Sequence, residues 1–321
     1  MKFGFDLPTR MARLDASERH VNEIVNPHTI TALAQKGEAL GFDSVWVSDH
    51  VVIPATSEGY PYTEDGTYPL HPQRPFLEPL VSLAYLAGCT RRIRLGTSVV
   101  ILPYRNPVIT AKMLATMDVL SAGRLIVGVG IGWWAQEFSA LGVPFFRDRG
   151  AYSDECVRIF KELWTSELSS FEGKYHSFSS VGCYPKPVQK PHPPIWIGGQ
   201  TTSTLKRVAR LGDGWHPLAM RKPVRLDPGE LKDKVAELRR LVEAAGRDPE
   251  AIEVSLRIRL RFSDADRGER LTGTVGKVAD DIRRYGEAGV SHFLFDLEMD
   301  SFQGMAETLE RFAVEVRPQL T

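Results

Sequence analysis

NPHTITALAQKGEALGFDSVWVSDH, residues 26–50, contains the unit on which the rest of the chain is built. Asn26 is a good helix cap, because its side-chain oxygen accepts from an otherwise unpaired backbone N–H. Pro27 suits the first helical position, where no amide hydrogen is needed. The predicted helix, Pro27–Leu40, stops at Gly41. An apolar strand, Ser44–Ser48, follows and leads into the polar Ser48-Asp49-His50. The plan recurs: Asn106 caps a helix over Pro107–Leu120, and Gly123 lies beyond its end. Further helices are predicted at Pro79–Cys89, Asp148–Trp164, Thr202–Leu211, Pro228–Ala245, Val275–Ala288 and Phe302–Val316. With Ser44–Ser48, the strands are Lys2–Asp6, Ile93–Val99, Leu125–Val129, Ile195–Gly198, Gly214–His216, Glu253–Ile258 and His292–Asp296. Eight strands alternating with helices predict a parallel (β/α)8 TIM barrel, one domain over residues 1–321, rather than an open sheet.

Composition narrows the function. Lys plus Arg and Asp plus Glu each number 40, so the chain lacks the basic excess of a nucleic-acid binder. No apolar run is long enough to span a bilayer, and MKFGFDLPTR does not read as a signal peptide. Cys89, Cys156 and Cys183 are few, odd in number and far apart, which argues against a disulfide framework or a Cys-x-x-Cys metal site and for a reducing cytoplasm. The first strand, Phe3-Gly4-Phe5-Asp6, lacks the His-x-His of a metal-dependent amidohydrolase barrel, and no GxSxG or HExxH is present, so no metal site is expected. No acidic residue adjoins the fourth strand's end at Ile131 and Trp133, which counts against a glycosidase.

Two insertions interrupt the pattern. Val51–Pro75 leaves directly from the second strand, and βα loops build a barrel's active site, so this segment is expected over the site. Ser166–Pro194 reads as a β-hairpin and a stiff connector rich in proline and lysine.

Five segments carry possible chemistry. Asp49 can orient a ring and His50 can exchange a proton near neutral pH, although both can also serve only loop backbone groups. Thr97-Ser98-Val99 is small and hydroxylated, which lets a planar ligand approach the backbone, or is a plain core strand. Val127-Gly128-Val129-Gly130-Ile131-Gly132 does not fit the dinucleotide fingerprint; its glycines are read as room for a flat ring. Of Trp133 and Trp134, one is assigned to an aromatic pocket and one to the core. Arg149 and Tyr152 open a helix and suit an anion, or form an ordinary solvated helix start. Gly198-Gly199-Gln200-Thr201 leads from a strand into a helix N-terminus that suits a phosphate.

In this order, from about Phe3 to Leu218, these segments resemble the bacterial luciferase-like monooxygenase family, with weaker agreement beyond. The more specific marks are Gly41-Phe42-Asp43-Ser44-Val45-Trp46-Val47-Ser48-Asp49-His50, Asn106-Pro107, Leu120-Ser121-Ala122-Gly123-Arg124, Pro193-Pro194-Ile195-Trp196-Ile197-Gly198-Gly199 and Ala209-Arg210-Leu211-Gly212-Asp213-Gly214-Trp215. Ser48-Asp49-His50 resembles the branch that uses the deazaflavin coenzyme F420. The resemblance implies that Asp49 touches the deazaflavin and that His50 faces its reactive carbon. It implies that Ser98–Val99 backs the ring through a non-proline cis bond, that Ile131, Gly132 and Gln136 contact the cofactor, that Gly198 and Gly199 lie at its phosphate, and that the protein is a homodimer. Sugar-phosphate dehydrogenases of this branch carry Glu where this chain has Trp133, so an apolar or aromatic small-molecule substrate is expected instead. Tyr60, Tyr62, Trp133 and His216 are the candidates for its wall. One alternative is an FMN-dependent monooxygenase supplied by a separate cofactor reductase. Reduced FMN reacts with oxygen, whereas the deazaflavin has carbon at the reactive position and does so poorly. Another is a non-catalytic flavin-binding protein, which would bind cofactor without turnover.

Overall fold

The computed structural model describes residues 1–10, 18–55, 60, 66, 72–219, 226–264, 270–298 and 300–320, with backbone alone for 18–20. Eight strands form the barrel: β1 Lys2–Asp6, β2 Ser44–Val47, β3 Arg94–Thr97, β4 Leu125–Gly130, β5 Ile195–Gly198, β6 Gly214–His216, β7 Glu253–Arg259 and β8 His292–Asp296. Each pairs in parallel with the next, and β8 pairs with β1 through Phe3↔Phe293 and Phe5↔Phe295, which closes the sheet. Around it lie α1 Pro27–Ala39, α2 Pro79–Cys89, α3 Pro107–Leu120, α4 Arg149–Thr165, α5 Thr202–Leu211, α6 Pro228–Ala244, α7 Val275–Glu287 and α8 Phe302–Arg311. Asn26 caps α1 by accepting from the Thr29 amide, and Asn106 caps α3 by accepting from Val108 and Ile109. No described helix is long and apolar enough to cross a membrane.

Strand residues alternate between two apolar environments, as a period of two requires. Val45, Val47, Leu125, Val127, Ile195, Ile197, Phe293 and Phe295 join the large core beneath the helices. Their neighbours Trp46, Ile126, Trp196 and Leu294 form a separate cluster, the barrel interior. The same alternation in β7 sends Val254, Leu256 and Ile258 outward and Ser255 and Arg257 inward. Asp6 and Asp296, the last residues of β1 and β8, likewise point in at the C-terminal end, where both meet Arg257.

Two of the expected elements end well short of their expected limits. The third strand stops at Thr97 rather than Val99; the Ser98–Val99 peptide is cis, as the resemblance implied, and Val100–Ile101 then pairs separately with β4. The last helix ends at Arg311 and widens into a π turn over Phe312–Val316, ahead of Pro318, which has no amide to continue a helix. The second insertion contains the expected hairpin: Ser169–Glu172 pairs antiparallel with Ser177–Val181.

The glycines of β4 do something other than admit a ring. A Cβ on Gly128 would lie 1.8 Å from the Thr97 carbonyl oxygen, and one on Gly130 2.5 Å from Val99 Cγ2. On β5, a Cβ on Gly198 would sit 3.0 Å from Val99 Cγ1. These positions make room for β3 and Val99, which corrects the reading of Gly130 as a wall cleared for a ligand. Gly128→Ala is therefore expected to destabilise the fold by about 1–3 kcal/mol, the cost of overpacking against atoms that cannot move. Gly88→Ala, in α2 with open space around it, should be neutral or stabilising. Urea unfolding of both variants checks this; an unchanged midpoint for Gly128→Ala would contradict the packing argument.

Candidate active site

The floor of the C-terminal end is a buried charge network. Arg257 Nη2 donates to Asp6 Oδ2 at 2.8 Å and to Asp296 Oδ1 at 2.7 Å. Its Nη1 donates to Ser48 Oγ and to the Ser98 carbonyl, both at 3.0 Å. Arg10, just beyond β1, adds donors to Asp6 Oδ2 at 2.6 Å, Ser48 Oγ at 3.0 Å and Asp296 Oδ1 at 3.4 Å. Two guanidiniums thus face two carboxylates. Burial pushes Asp6 up despite both arginines. Burial also opposes ionisation of Asp296, but Arg257 and Arg10 outweigh it and hold that group at about 2.

Ser98 links this floor to the interior. Its hydroxyl lies 2.8 Å from His216 Nε2, whose Nδ1 is 2.5 Å from Ser255 Oγ. Burial, reinforced by Arg257, lowers His216 to about 3, so this imidazole is neutral near pH 7. Its ring stacks on Trp46 at 5.3 Å and 10°. His216 therefore lies among the interior rings beneath Ser98.

Beside Ser98, β2 ends in two side chains with separate partners. Asp49 is clamped by Arg105, Nη1 to Oδ2 at 2.6 Å and Nη2 to Oδ1 at 2.9 Å, and Oδ2 also accepts from the Ile101 amide at 2.8 Å. Burial pushes this carboxyl up, with Arg105 pulling the other way. His50 Nδ1 is 2.6 Å from Glu137 Oε2. Glu137, fully buried, also accepts from the Val51 amide at 2.8 Å and from Tyr104 Oη at 2.9 Å. The His50 ring is framed edge-on by Phe76 at 5.4 Å, Trp134 at 5.7 Å and Trp133 at 6.2 Å. Trp134 is buried, and Trp133 is half-buried and stacked on it at 4.7 Å. Tyr60 and Ile53 of the first insertion pack on this pair, so its described part does reach the ends of β2 and β4.

The sequence matches a known family over most of its length. Residues 1–270 fit the family described as luciferase-like monooxygenase. The chain belongs to that family. Among relatives of this luciferase-like protein, an uncharacterized protein of Mycobacterium tuberculosis is 33% identical over 290 residues, 90% of this chain and 94% of the relative. An F420-dependent glucose-6-phosphate dehydrogenase of Kineococcus radiotolerans is 33% identical over 257 residues, 77% of this chain and 68% of its own. The solved structure of an F420-dependent secondary alcohol dehydrogenase in complex with an F420-acetone adduct superposes with a TM-score of 0.77 at 21% identity, covering 100% of this chain and 99% of its own.

The residues in and around the site of this luciferase-like protein fall into three groups. His50, Ser98, Val99, Ile131, Gly132, Trp133 and Tyr60 gather at the ends of β2, β3 and β4, and Gly198 and Gly199 close β5 next to Val99. Others are occupied elsewhere. Both oxygens of Asp49 are engaged by Arg105, and Oδ2 also by the Ile101 amide, so this carboxylate is held by the protein itself. Arg149 donates to the Gly132 and Phe146 carbonyls, and Tyr152 packs on Phe145 with its hydroxyl 3.3 Å from His176 Nε2. Gln136 is exposed on the short helix Ala135–Ala140, whereas its neighbour Glu137 points inward. Glu137 also corrects the expectation that no acidic group adjoins the end of the fourth strand. Tyr62 lies outside the described residues. The third group was not anticipated: Glu137, Tyr104, Phe76, Arg105, Arg10 and the Asp6–Arg257–Asp296 set.

Proposed function

We propose that this luciferase-like oxidoreductase uses coenzyme F420 and transfers hydride between the deazaflavin and a small organic substrate. The observation that carries the reading is an imidazole, His50, held by Glu137 at the C-terminal end of β2 in a chain 33% identical to an F420-dependent dehydrogenase. The residues fit such a cofactor. Gly198-Gly199 leads into α5, where Thr201 accepts from the Thr204 amide. The first-turn amides of Thr202 and Ser203 have no acceptor within the helix and suit a phosphate. Val99, Ile131 and Gly132 offer an uncharged surface for a planar ring. The bound deazaflavin would supply the carbon that gives or takes hydride; the chain supplies position and proton chemistry. His50 holds or releases the proton that accompanies hydride movement, and Phe76, Trp133 and Tyr60 keep water from its ring. Trp133, aromatic and uncharged, favours an apolar or aromatic substrate over a sugar phosphate.

Fluorescence titration of the purified apoprotein with F420 and with FMN, at matched salt, tests the cofactor. F420 is expected to bind at least tenfold more tightly, a difference of about 1.4 kcal/mol. Tight FMN binding with substrate-dependent oxygen uptake and no F420 binding would replace this reading by the FMN-dependent monooxygenase.

A further inference from the structure

We propose that Glu137 is a positioning residue that selects the tautomer of His50, keeping the ring proton on Nδ1 so that proton exchange occurs at Nε2. The catalytic half of this inference rests on the reading of His50 given above; the tautomer itself does not. Neutral imidazole carries one N–H, and the partner of one nitrogen decides what the other can do. Glu137 is fully buried between the ends of β2 and β4, and each described hydrogen-bond partner of its carboxyl is a donor or can act as one. The Val51 and Val52 amides donate to Oε1 at 2.8 and 3.3 Å. Tyr104 donates to Oε2 at 2.9 Å, and His50 Nδ1 approaches that same oxygen at 2.6 Å. An ionised carboxylate only accepts, so its partner Nδ1 must carry the hydrogen. Nε2 then holds the lone pair whenever the ring is neutral.

The backbone amides make the consequence of one substitution directional. In Glu137→Gln an oxygen must stay opposite Val51 and Val52, since two amide N–H groups cannot face an NH2. The new NH2 therefore falls on the His50 side. It donates to Nδ1, which moves the ring proton to Nε2. The isosteric change leaves packing intact and reverses the tautomer. At metal-binding histidines, loss of the partner that orients the ring costs about 10–100-fold in affinity or activity, and a loss of at least that size is expected here.

Nitrogen-15 NMR of protein labelled in its histidine rings reads this without cofactor or substrate; comparison with His50→Asn assigns the His50 signals. Wild type should show a protonated Nδ1 and an unprotonated Nε2 near neutral pH, and Glu137→Gln should show the reverse. Turnover of Glu137→Gln should fall at least about 10–100-fold through kcat, with F420 affinity close to wild type. A wild-type ring protonated at Nε2, alone or together with Nδ1, would overturn the proposal, and so would an unchanged tautomer in Glu137→Gln. The wild-type spectrum decides even if the variant does not fold. Full turnover in His50→Asn would instead remove the catalytic reading and leave the tautomer assignment standing.

Discussion

Arg257→Met should lower the free energy of unfolding by about 3–5 kcal/mol, the usual cost of removing one partner from a buried ion pair. The arginine is 8% exposed and bridges β7 to β1, β2, β3 and β8 through Asp6, Ser48, Ser98 and Asp296. Methionine fills part of the volume but leaves Arg10 alone against two buried carboxylates. The deficit should depend on pH with a definite sign. In the wild type Asp296 is held at about 2, below an unfolded value of about 3.9. Its contribution is therefore present above about pH 4 and lost as pH falls towards about 2. The variant lacks most of that contribution, so the gap to wild type should be widest near neutrality and shrink through that acid window. Asp6, already pushed up by burial, acts in the same direction, because losing Arg257 raises it further and protonation then relieves the repulsion. Urea unfolding at pH 7 and pH 3 measures both effects. Adding Asp296→Asn to the variant should restore part of the loss, because one guanidinium then faces one carboxylate. A deficit below about 1 kcal/mol at pH 7, or one that grows in acid, would contradict this account.

The barrel was legible because its evidence is periodic and local. Asn26-Pro27 and Asn106-Pro107 cap α1 and α3 as expected, and strands covered on both faces read as apolar runs between helices. His50 was legible for the same reason, since it follows an unmistakable strand. The rest of the site depends on side chains meeting across the barrel. Arg257 carried an overlooked sign: a charged residue on the inward phase of an otherwise apolar strand, matched by Asp6 and Asp296 at the ends of two others. Glu137 lies on the six-residue helix Ala135–Ala140, too short to announce which side faces in, and its neighbour Gln136 proved to be the exposed one. Gly128 and Gly130 were misread because what fills the space beside them, the Thr97 carbonyl and Val99, arrives from the neighbouring strand segment. A carboxylate such as Asp49 looks available in a sequence until the cation that claims it, Arg105, is found 56 residues later.

His50→Asn should reduce turnover by about 10²–10⁴-fold, the range for loss of a general acid or base, while cofactor affinity changes little. The substitution separates the contact the imidazole makes with Glu137 from the proton exchange proposed for it. Asparagine reaches roughly as far as Nδ1 and can donate its NH2 to Glu137 Oε2, so the hydrogen bond that ties the β2 loop to the helix Ala135–Ala140 is kept. The new side chain does not titrate near pH 7, so proton exchange is lost. His216 is no substitute: lowered to about 3 by burial and Arg257, it cannot hold a proton at neutral pH, and it lies beneath Ser98. Nor is Asp49 a replacement, because Arg105 occupies both its oxygens. Turnover should be measured at saturating F420 and substrate, with cofactor affinity determined separately by fluorescence titration. Turnover within threefold of wild type would exclude His50 from proton exchange. Loss of F420 affinity with turnover recovered at high cofactor would make His50 a binding residue and leave the proton to another group.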